Sequence, residues 1–240
     1  MADPTAPRPD PGQFYMLTAA ERWGGGEDER PFLPRAFSVM RARNGALEFL
    51  FDDVGPGTKR LMELDAGDEL LLLGPLGKGF APPLDGRRPV LVGGGVGIAP
   101  LVIWGEHLGG AQTLLGFRDA GHAEGAALIP GAEIATDDGS VGHHGLVTDL
   151  LDLDDTIEIY ACGPPPMLEA IAAMDVPAQL AMESGMACGF GACFGCVVPT
   201  KEGYVRLCVD GPLAQCPPPA ASAVSSSPAS TTGPSTHSRT

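Results

Sequence analysis

Four cysteines, Cys188, Cys193, Cys196 and Cys208, fall within 21 residues at the spacing C-x4-C-x2-C-x11-C. Thiolates at the first three of these positions match the ligand spacing of a loop wrapped around a 2Fe-2S cluster, a one-electron carrier. The glycines interleaved with them suit that use, because a loop folded tightly around a cluster needs backbone freedom and amide N–H groups turned toward sulfur. Two other uses of the thiols remain open at this level. A structural zinc site favours paired C-x2-4-C knuckles, and disulfides favour a secreted protein. Cys162 and Cys216 lie outside the pattern: Cys162, at a strand end, suits packing and function equally, while Cys216 in a Pro-rich stretch reads as a packing residue.

Polar and Gly-rich segments elsewhere could handle phosphate. Arg35-Ala36-Phe37-Ser38 sets a fixed cation, a planar ring and a hydroxyl along one strand, and Gly55-Pro56-Gly57-Thr58 and Gly74 to Phe80 follow it. Each alone reads as an ordinary strand end or turn. The apolar run Pro89-Val90-Leu91-Val92 leads into Gly93 to Pro100 and then an apolar helix from Leu101 to Leu108. A strand feeding a Gly-rich turn at a helix start lets the backbone approach a pyrophosphate; the same turn also serves close helix–strand packing.

Two rhythms position these segments. From Gly12 to Leu84 short strands (Gln13 to Leu17, Ala36 to Met40, Leu47 to Phe51, Glu69 to Leu73) are broken by turn residues such as Asn44-Gly45, which predicts a small antiparallel barrel. From residue 85 to 180 strands and helices alternate: Thr113 to Phe117, Glu133 to Thr136, a helix around Leu146 to Leu151, Thr156 to Ala161, and a helix opening at Cys162-Gly163-Pro164 and running to Met174. This predicts a parallel sheet. The fold class is thus a β barrel plus α/β, with a cluster segment over 181–213. Residues 214–240, rich in Pro, Ala, Ser and Thr, read as a disordered tail.

Composition narrows the function. A formal charge of -15 argues against nucleic acid, which demands a basic surface. No apolar run approaches the roughly 20 residues of a membrane span, and no charged-plus-apolar leader is visible, so a cytoplasmic protein is expected. His143 and His144 read as turn residues, since no other ligand lies at metal-binding spacing.

The order of motifs says more than any one of them. RxFS, GxGT, GPLGxGF, GGGxGIAPL and CGPxPM, in that sequence, resemble the ferredoxin-NADP reductase family of flavoproteins. Joined to MACGxGxCxGC, the chain resembles, from Gly12 to Leu213, the electron-transfer subunits of NAD-linked dihydroorotate dehydrogenases. The resemblance implies FAD in the barrel, NAD(P) in the parallel-sheet domain and a 2Fe-2S cluster held by Cys188, Cys193, Cys196 and Cys208. In its terms Arg35, Ala36, Phe37 and Ser38 form the flavin strand: Arg35 pairs with FAD phosphate, Phe37 lies along the isoalloxazine, Ser38 sits near flavin N5, and Gly57 and Thr58 meet phosphate. Leu50, Phe51 and Asp52 line the adenosine or pyrophosphate side, although relatives often carry a basic residue where Asp52 stands. Gly94, Gly95 and Gly97 form the dinucleotide turn, and Cys162, Gly163 and Pro164 the wall near the nicotinamide. Arg118 favours a 2′-phosphate and Asp119 a ribose 2′-hydroxyl; the resemblance favours NAD.

Relatives also carry one or two strands before Pro11-Gly12-Gln13-Phe14, so this barrel either lacks them or is edged by residues 1–11. The implied work is electron transfer between NAD(H) and a partner, an FMN-containing dihydroorotate dehydrogenase catalytic subunit in a heterotetramer of pyrimidine biosynthesis. No side chain of this chain is assigned a catalytic acid–base role. A reductase serving ferredoxin or a hydrogenase shares the same frame, and a zinc-stabilised binding module is the non-enzymatic alternative.

Overall fold

The computed structural model describes residues 8–24, 31–200 and 203–214. The first unit is built from β1 (Phe14–Ala19), β2 (Arg35–Arg43), β3 (Ala46–Phe49), the short helix α1 (Pro56–Met62) and β4 (Leu70–Leu76). The strands form an antiparallel sheet in the order β3-β2-β1-β4. The Asn44-Gly45 turn joins β2 to β3 with both residues at positive φ, 51° and 75°, the conformation whose twist matches a tight hairpin. Central β1 is buried almost throughout and pairs Phe14 with Ser38 and Tyr15 with Phe37. That register fixes the Arg35 to Ser38 strand against the core.

Residues 8–13 do not add a strand at an edge. They turn under the loop after β4, where the Pro11 carbonyl accepts the Phe80 N–H at 2.8 Å and Gln13 Nε2 donates to the Gly77 carbonyl at 2.9 Å. The prolines at 9 and 11 limit how many backbone N–H donors this stretch could offer a ladder. Residues 1–7 lie outside the described residues.

The second unit contains β5 (Arg88–Gly94), α2 (Ala99–Leu108), β6 (Gln112–Phe117), α3 (Ala120–Ala123), β7 (Glu133–Thr136), β8 (His143–His144), β9 (Ile157–Cys162), α4 (Pro165–Ala172) and β10 (Ala178–Ala181). Its strands are parallel in the order β10-β9-β5-β6-β7-β8. Val90, Val92, Leu114, Ile157 and Ile159 pack as its core, which is why these strands read as unbroken apolar runs. The helix expected around Leu146 to Leu151 is a single 3-10 turn over Val147–Leu150. Asp149 accepts the Leu146 N–H at 2.8 Å and the backbone is extended again at Leu151, so the turn does not propagate.

The last segment forms a hairpin of β11 (Val197–Thr200) and β12 (Gly203–Arg206), a turn of helix α5 (Leu207–Asp210) and β13 (Leu213–Ala214). Here β13 pairs antiparallel with β10, so the chain returns to the large sheet and makes it mixed. Ala214, grouped with the tail by composition, is thereby a strand residue. The rest of the expected disordered tail, including Cys216, lies outside the described residues.

Several sets of contacts hold the units together, among them the packing of Ile103 on Tyr15, Leu17 and Val39 and of Met40 on Ala99 and Val102. Arg41 of β2 places Nε 2.7 Å from Glu106 Oε1 of α2 and donates through Nη2 to the Leu128 carbonyl at 3.0 Å. Phe14 and Met16 of β1 share an apolar cluster with Leu207, Cys196 and Cys208. No helix among the described residues is long and apolar enough to cross a membrane.

Candidate functional site

The three segments meet at a cavity of about 670 Å³. One wall is β2, where Arg35, Ala36, Phe37 and Ser38 all face the space, continued by Leu50, Phe51, Asp52 and Thr58. The Phe37 and Phe51 rings pack 5.0 Å apart. Opposite stand Val96, Ala99 and Pro100 from the start of α2 and Cys162 from the end of β9. The floor comes from the cluster segment: Met182 to Met186, Leu207, Gly211 and Pro212.

The phosphate-suited groups sit together at one end. Arg35 donates through Nη1 to the Leu33 carbonyl at 2.6 Å, and its guanidinium lies 5.9 Å from the centre of the Trp23 ring. Gly57 lies directly beneath that guanidinium, so close that a side chain there would collide with it. Gly57 therefore supports Arg35 and is not itself among the residues facing the cavity. Thr58 Oγ1 accepts the N–H groups of Val54 and Gly55 at 2.9 and 3.1 Å, which folds the loop into the first turn of α1.

A second cavity, of about 370 Å³, opens at the C-terminal ends of β5 and β6. Gly94, Gly95 and Pro164 line it, with Arg118, His122 and Asp137. Asp52 faces both cavities, so it stands where the two spaces adjoin. Gly97 faces neither. A Cβ on it would lie 2.5 Å from the Cys162 carbonyl oxygen, so this glycine serves the close packing of the turn on β9. Gly163 plays a similar part, pressed against Gly94.

Cys162 is buried and pairs with no other cysteine. Burial first, and then the neighbouring Glu183, push its thiol well above the ordinary range, so it stays neutral. Enclosure also raises the Glu183 carboxyl. Glu183 faces the cavity, as do Met182, Leu207 and Pro212, and the motifs of the sequence pointed to none of the four. For Glu183 a signal existed: it is the one charged residue between the last parallel strand and the cysteine loop.

The four clustered thiols stand as two pairs. Backbone N–H groups of Ala192 and Cys193 point at Cys188 Sγ at 3.3 and 3.4 Å, and the Cys193 side chain lies beside it. The Cys193 and Phe190 amides and their neighbours draw the Cys188 thiol down to about 6. In the second pair the Cys208 N–H points at Cys196 Sγ at 3.5 Å, and burial together with Cys196 pushes Cys208 up to about 11. No three His, Cys, Asp or Glu side chains among the described residues converge on one point. Two thiol pairs fit a two-iron cluster, with one pair for each iron, and amides directed at sulfur suit its charge. The five described cysteines are free rather than paired in disulfides.

The loop is held in this shape from both sides. Gly189 has φ of 79°, and a Cβ there would meet Met16 at 2.6 Å. On the other face Arg206 donates to the Gly191 carbonyl at 3.2 Å and lies over the Phe194 ring. The pairs differ in exposure: Cys196 and Cys208 are each 2% exposed against β1, whereas Cys193 is on the surface, flanked by exposed Phe190 and Phe194.

Comparison with known proteins agrees with this geometry. The family described as the iron-sulfur cluster binding domain of dihydroorotate dehydrogenase B matches residues 183–215. A protein of Clostridium acetobutylicum named dihydroorotate dehydrogenase B (NAD(+)), electron transfer subunit, is 36% identical over 211 residues, covering 85% of this chain and 83% of its own. The chain belongs to this family of electron transfer subunits. A second member, from Caldanaerobacter subterraneus subsp. tengcongensis, is 37% identical over 220 residues, with coverage of 86% and 85%. Among solved structures, a chain of the NADH-dependent reduced ferredoxin-NADP oxidoreductase studied for flavin-based electron bifurcation superposes with a TM-score of 0.71. It is 27% identical and covered over 78% of its length by 86% of this one. The family's reductase frame is thus present in both units and in the segment after them.

Proposed function

We propose that this chain carries electrons between NAD(H) and an FMN-containing dihydroorotate dehydrogenase catalytic subunit, using FAD and a 2Fe-2S cluster, in pyrimidine biosynthesis. It works in the cytoplasm as part of a heterotetramer. Three units divide the work between them, a flavin unit over 12–84, a nucleotide unit over 85–180 and a cluster unit over 181–213. The observation that carries this reading is the convergence of β2, the end of β9 and the cluster segment on one cavity, with the second cavity adjoining it at Asp52.

The bound flavin would supply the exchange between a two-electron hydride and single electrons. The chain's own residues supply placement. Arg35 neutralises phosphate, with Thr58 beside it; Phe37 offers a flat face, and Ser38 a hydroxyl, to the ring system. Gly94 and Gly95 let a dinucleotide pyrophosphate approach the backbone, and Cys162 and Pro164 wall the passage between the cavities. Cys188, Cys193, Cys196 and Cys208 would hold the cluster that supplies single-electron transfer: Cys196 and Cys208 stand buried beside Leu207, which itself faces the first cavity, and Cys193 stands at the surface, where a partner could dock.

The test is an absorption spectrum of anaerobically purified protein, with flavin, iron and acid-labile sulfide quantified, before and after NADH. Flavin and iron–sulfur bands that both bleach with NADH are expected, together with NADH:acceptor activity and no oxidation of dihydroorotate by this chain alone. A colourless protein containing zinc would end the redox reading. Co-purification with ferredoxin or a hydrogenase subunit instead of the dehydrogenase would replace the partner.

A further inference from the structure

Arg206 closes β12 and spans the two cysteine pairs. Its backbone belongs with the buried pair: the hairpin sets it opposite Val197, next to Cys196, and Cys208 follows in the first turn of α5. The Arg206 N–H donates to Asp210 Oδ2 at 2.9 Å, and the next one, of Leu207, to the Cys196 carbonyl at 3.2 Å. Its side chain crosses to the loop of the other pair. There Nη1 donates to the Gly191 carbonyl at 3.2 Å, and the guanidinium carbon lies 5.4 Å from the centre of the Phe194 ring.

The peptide that Arg206 grips is the one that serves Cys188. Its carbonyl, of Gly191, accepts from Arg206, while its N–H, of Ala192, points at Cys188 Sγ at 3.3 Å. A carbonyl that accepts from a cation polarises its peptide and strengthens donation from the N–H at the other end. The local backbone is shaped to permit this contact. Gly191 has φ of 87°, and a Cβ on it would stand 2.7 Å from Val209 and 3.2 Å from Arg206 Nη1. Phe194 holds φ of 59°, a region that a side chain of its bulk seldom enters, and so lays its ring over the half-buried guanidinium. A cation partly enclosed in this way is screened less than one in open water.

We infer that Arg206 is a positioning residue that raises the reduction potential of the cluster, by holding the Gly191–Ala192 peptide with its N–H on Cys188 and by fixing a positive charge beside the loop. The inference rests on the proposed function only in taking the four cysteines as the ligands. Its sign follows from charge: one added electron makes the liganded sulfurs more negative, and N–H donors and a nearby cation both stabilise that form. Arg206 bonds a carbonyl oxygen and no sulfur, so its replacement leaves all four thiols in place. It is not among the residues that face the first cavity, to which this segment contributes Leu207, Gly211 and Pro212. The effect therefore falls on the cluster and not on the flavin.

The experiment is an EPR-monitored redox titration of the full chain, loaded with flavin and cluster, for wild type, Arg206→Gln and Arg206→Lys. Iron, sulfide and flavin are quantified, and amide hydrogen exchange is followed over residues 189–195. Arg206→Gln should shift the ratio of reduced to oxidised cluster at a fixed applied potential about tenfold toward oxidised, a fall of about 59 mV for one electron. The Ala192 amide should exchange about tenfold faster, as local opening becomes easier, with flavin content unchanged. Arg206→Lys, which keeps the charge, should recover half or more of the shift in potential. A Gln variant with full iron and sulfide and an unmoved potential overturns the inference and leaves the proposed function standing. If that variant gives up its iron, the Lys variant decides: a ratio that falls by less than about threefold supports the inference, and a larger fall overturns it. Loss of the cluster from both variants would make Arg206 a structural residue and overturns it too. A wild-type chain without the EPR signal of a reduced 2Fe-2S cluster would remove the cluster reading itself, and this inference with it.

Discussion

Gln179 grips Ala81 at both of its backbone groups: Oε1 accepts the Ala81 N–H at 2.9 Å and Nε2 donates to the Ala81 carbonyl at 3.1 Å. Around this pair Tyr160 donates to the same carbonyl at 3.0 Å, Glu158 Oε2 accepts the Leu84 N–H at 2.7 Å, and Glu158 Oε1 accepts from Gln179 at 2.9 Å. Glu158, Tyr160 and Gln179 are buried side chains of β9 and β10. They tie the connection between the flavin and nucleotide units to the large sheet, and so set how the first cavity's two walls face each other.

Gln179→Ala should lower stability by about 1–3 kcal/mol, because it leaves the buried Glu158 Oε1 and the Ala81 N–H without this partner. For a chain of this size that is a fall in melting temperature of several degrees. Hydride transfer from NADH to flavin should slow in the same variant, measured by stopped-flow bleaching of flavin absorbance. A stability loss with an unchanged transfer rate would mean that the network holds the fold and not the facing of the two walls.

Glu106 gives the contact between the units an acid-side limit. Burial opposes its ionisation, but hydrogen bonds from Arg43 and Arg41 outweigh that and hold the carboxyl below its ordinary value. A folded value below the unfolded one contributes stability that is whole above the unfolded glutamate pKa, about 4.3. It is lost as pH falls through the lower folded value. Wild type should therefore exceed Glu106→Gln in melting temperature at pH 7, and the gap should close as pH is lowered through 4. Partial exposure of this pair keeps the gap small.

Gly97 and Gly95 should respond differently to alanine, although the motif treats them alike. A Cβ at 97 would sit 2.5 Å from the Cys162 carbonyl, whereas at 95 nothing lies within 4 Å and only the positive φ of 53° resists. Gly97→Ala should cost about 1–3 kcal/mol as an overpacked site and should shift Cys162 and Gly163, seen as weaker binding of both dinucleotide and flavin. Gly95→Ala should cost about 1–2 kcal/mol and affect the dinucleotide alone. Thermal melts with paired ligand titrations separate the two.

Much of this site was legible because its chemistry is local. The RAFS strand, the glycine turn and the cysteine loop each encode their use within a dozen residues, and the Asn44-Gly45 hairpin and the apolar runs of β5 and β9 followed from periodicity. What escaped was long-range. Gly97 reads as a phosphate contact until β9 is seen to pass beneath it. Gly57 reads likewise until Arg35 folds over it. The roles of Glu183, Leu207 and Pro212 depend on the last segment returning to the large sheet through β13, and no local pattern announces that return.

The two cysteine pairs should differ in what their loss does. Cys193 is on the surface, and its backbone N–H and those around it already serve Cys188, so Cys193→Ser removes one ligand without disturbing packing. Iron and sulfide should be lost, flavin retained and NADH-dependent bleaching of the flavin preserved. Cys208 belongs to the apolar cluster with Phe14, Met16 and Leu207, and Leu207 also walls the first cavity. Cys208→Ser places a hydroxyl in that cluster at a cost of about 1–3 kcal/mol if unpaired. It should weaken flavin binding as well as abolish the cluster. Iron, sulfide and flavin content of both variants, set beside their melting temperatures, decide the matter: equal flavin loss in the two would mean that the cluster itself, and not the packing of its inner pair on β1, holds the flavin wall in place.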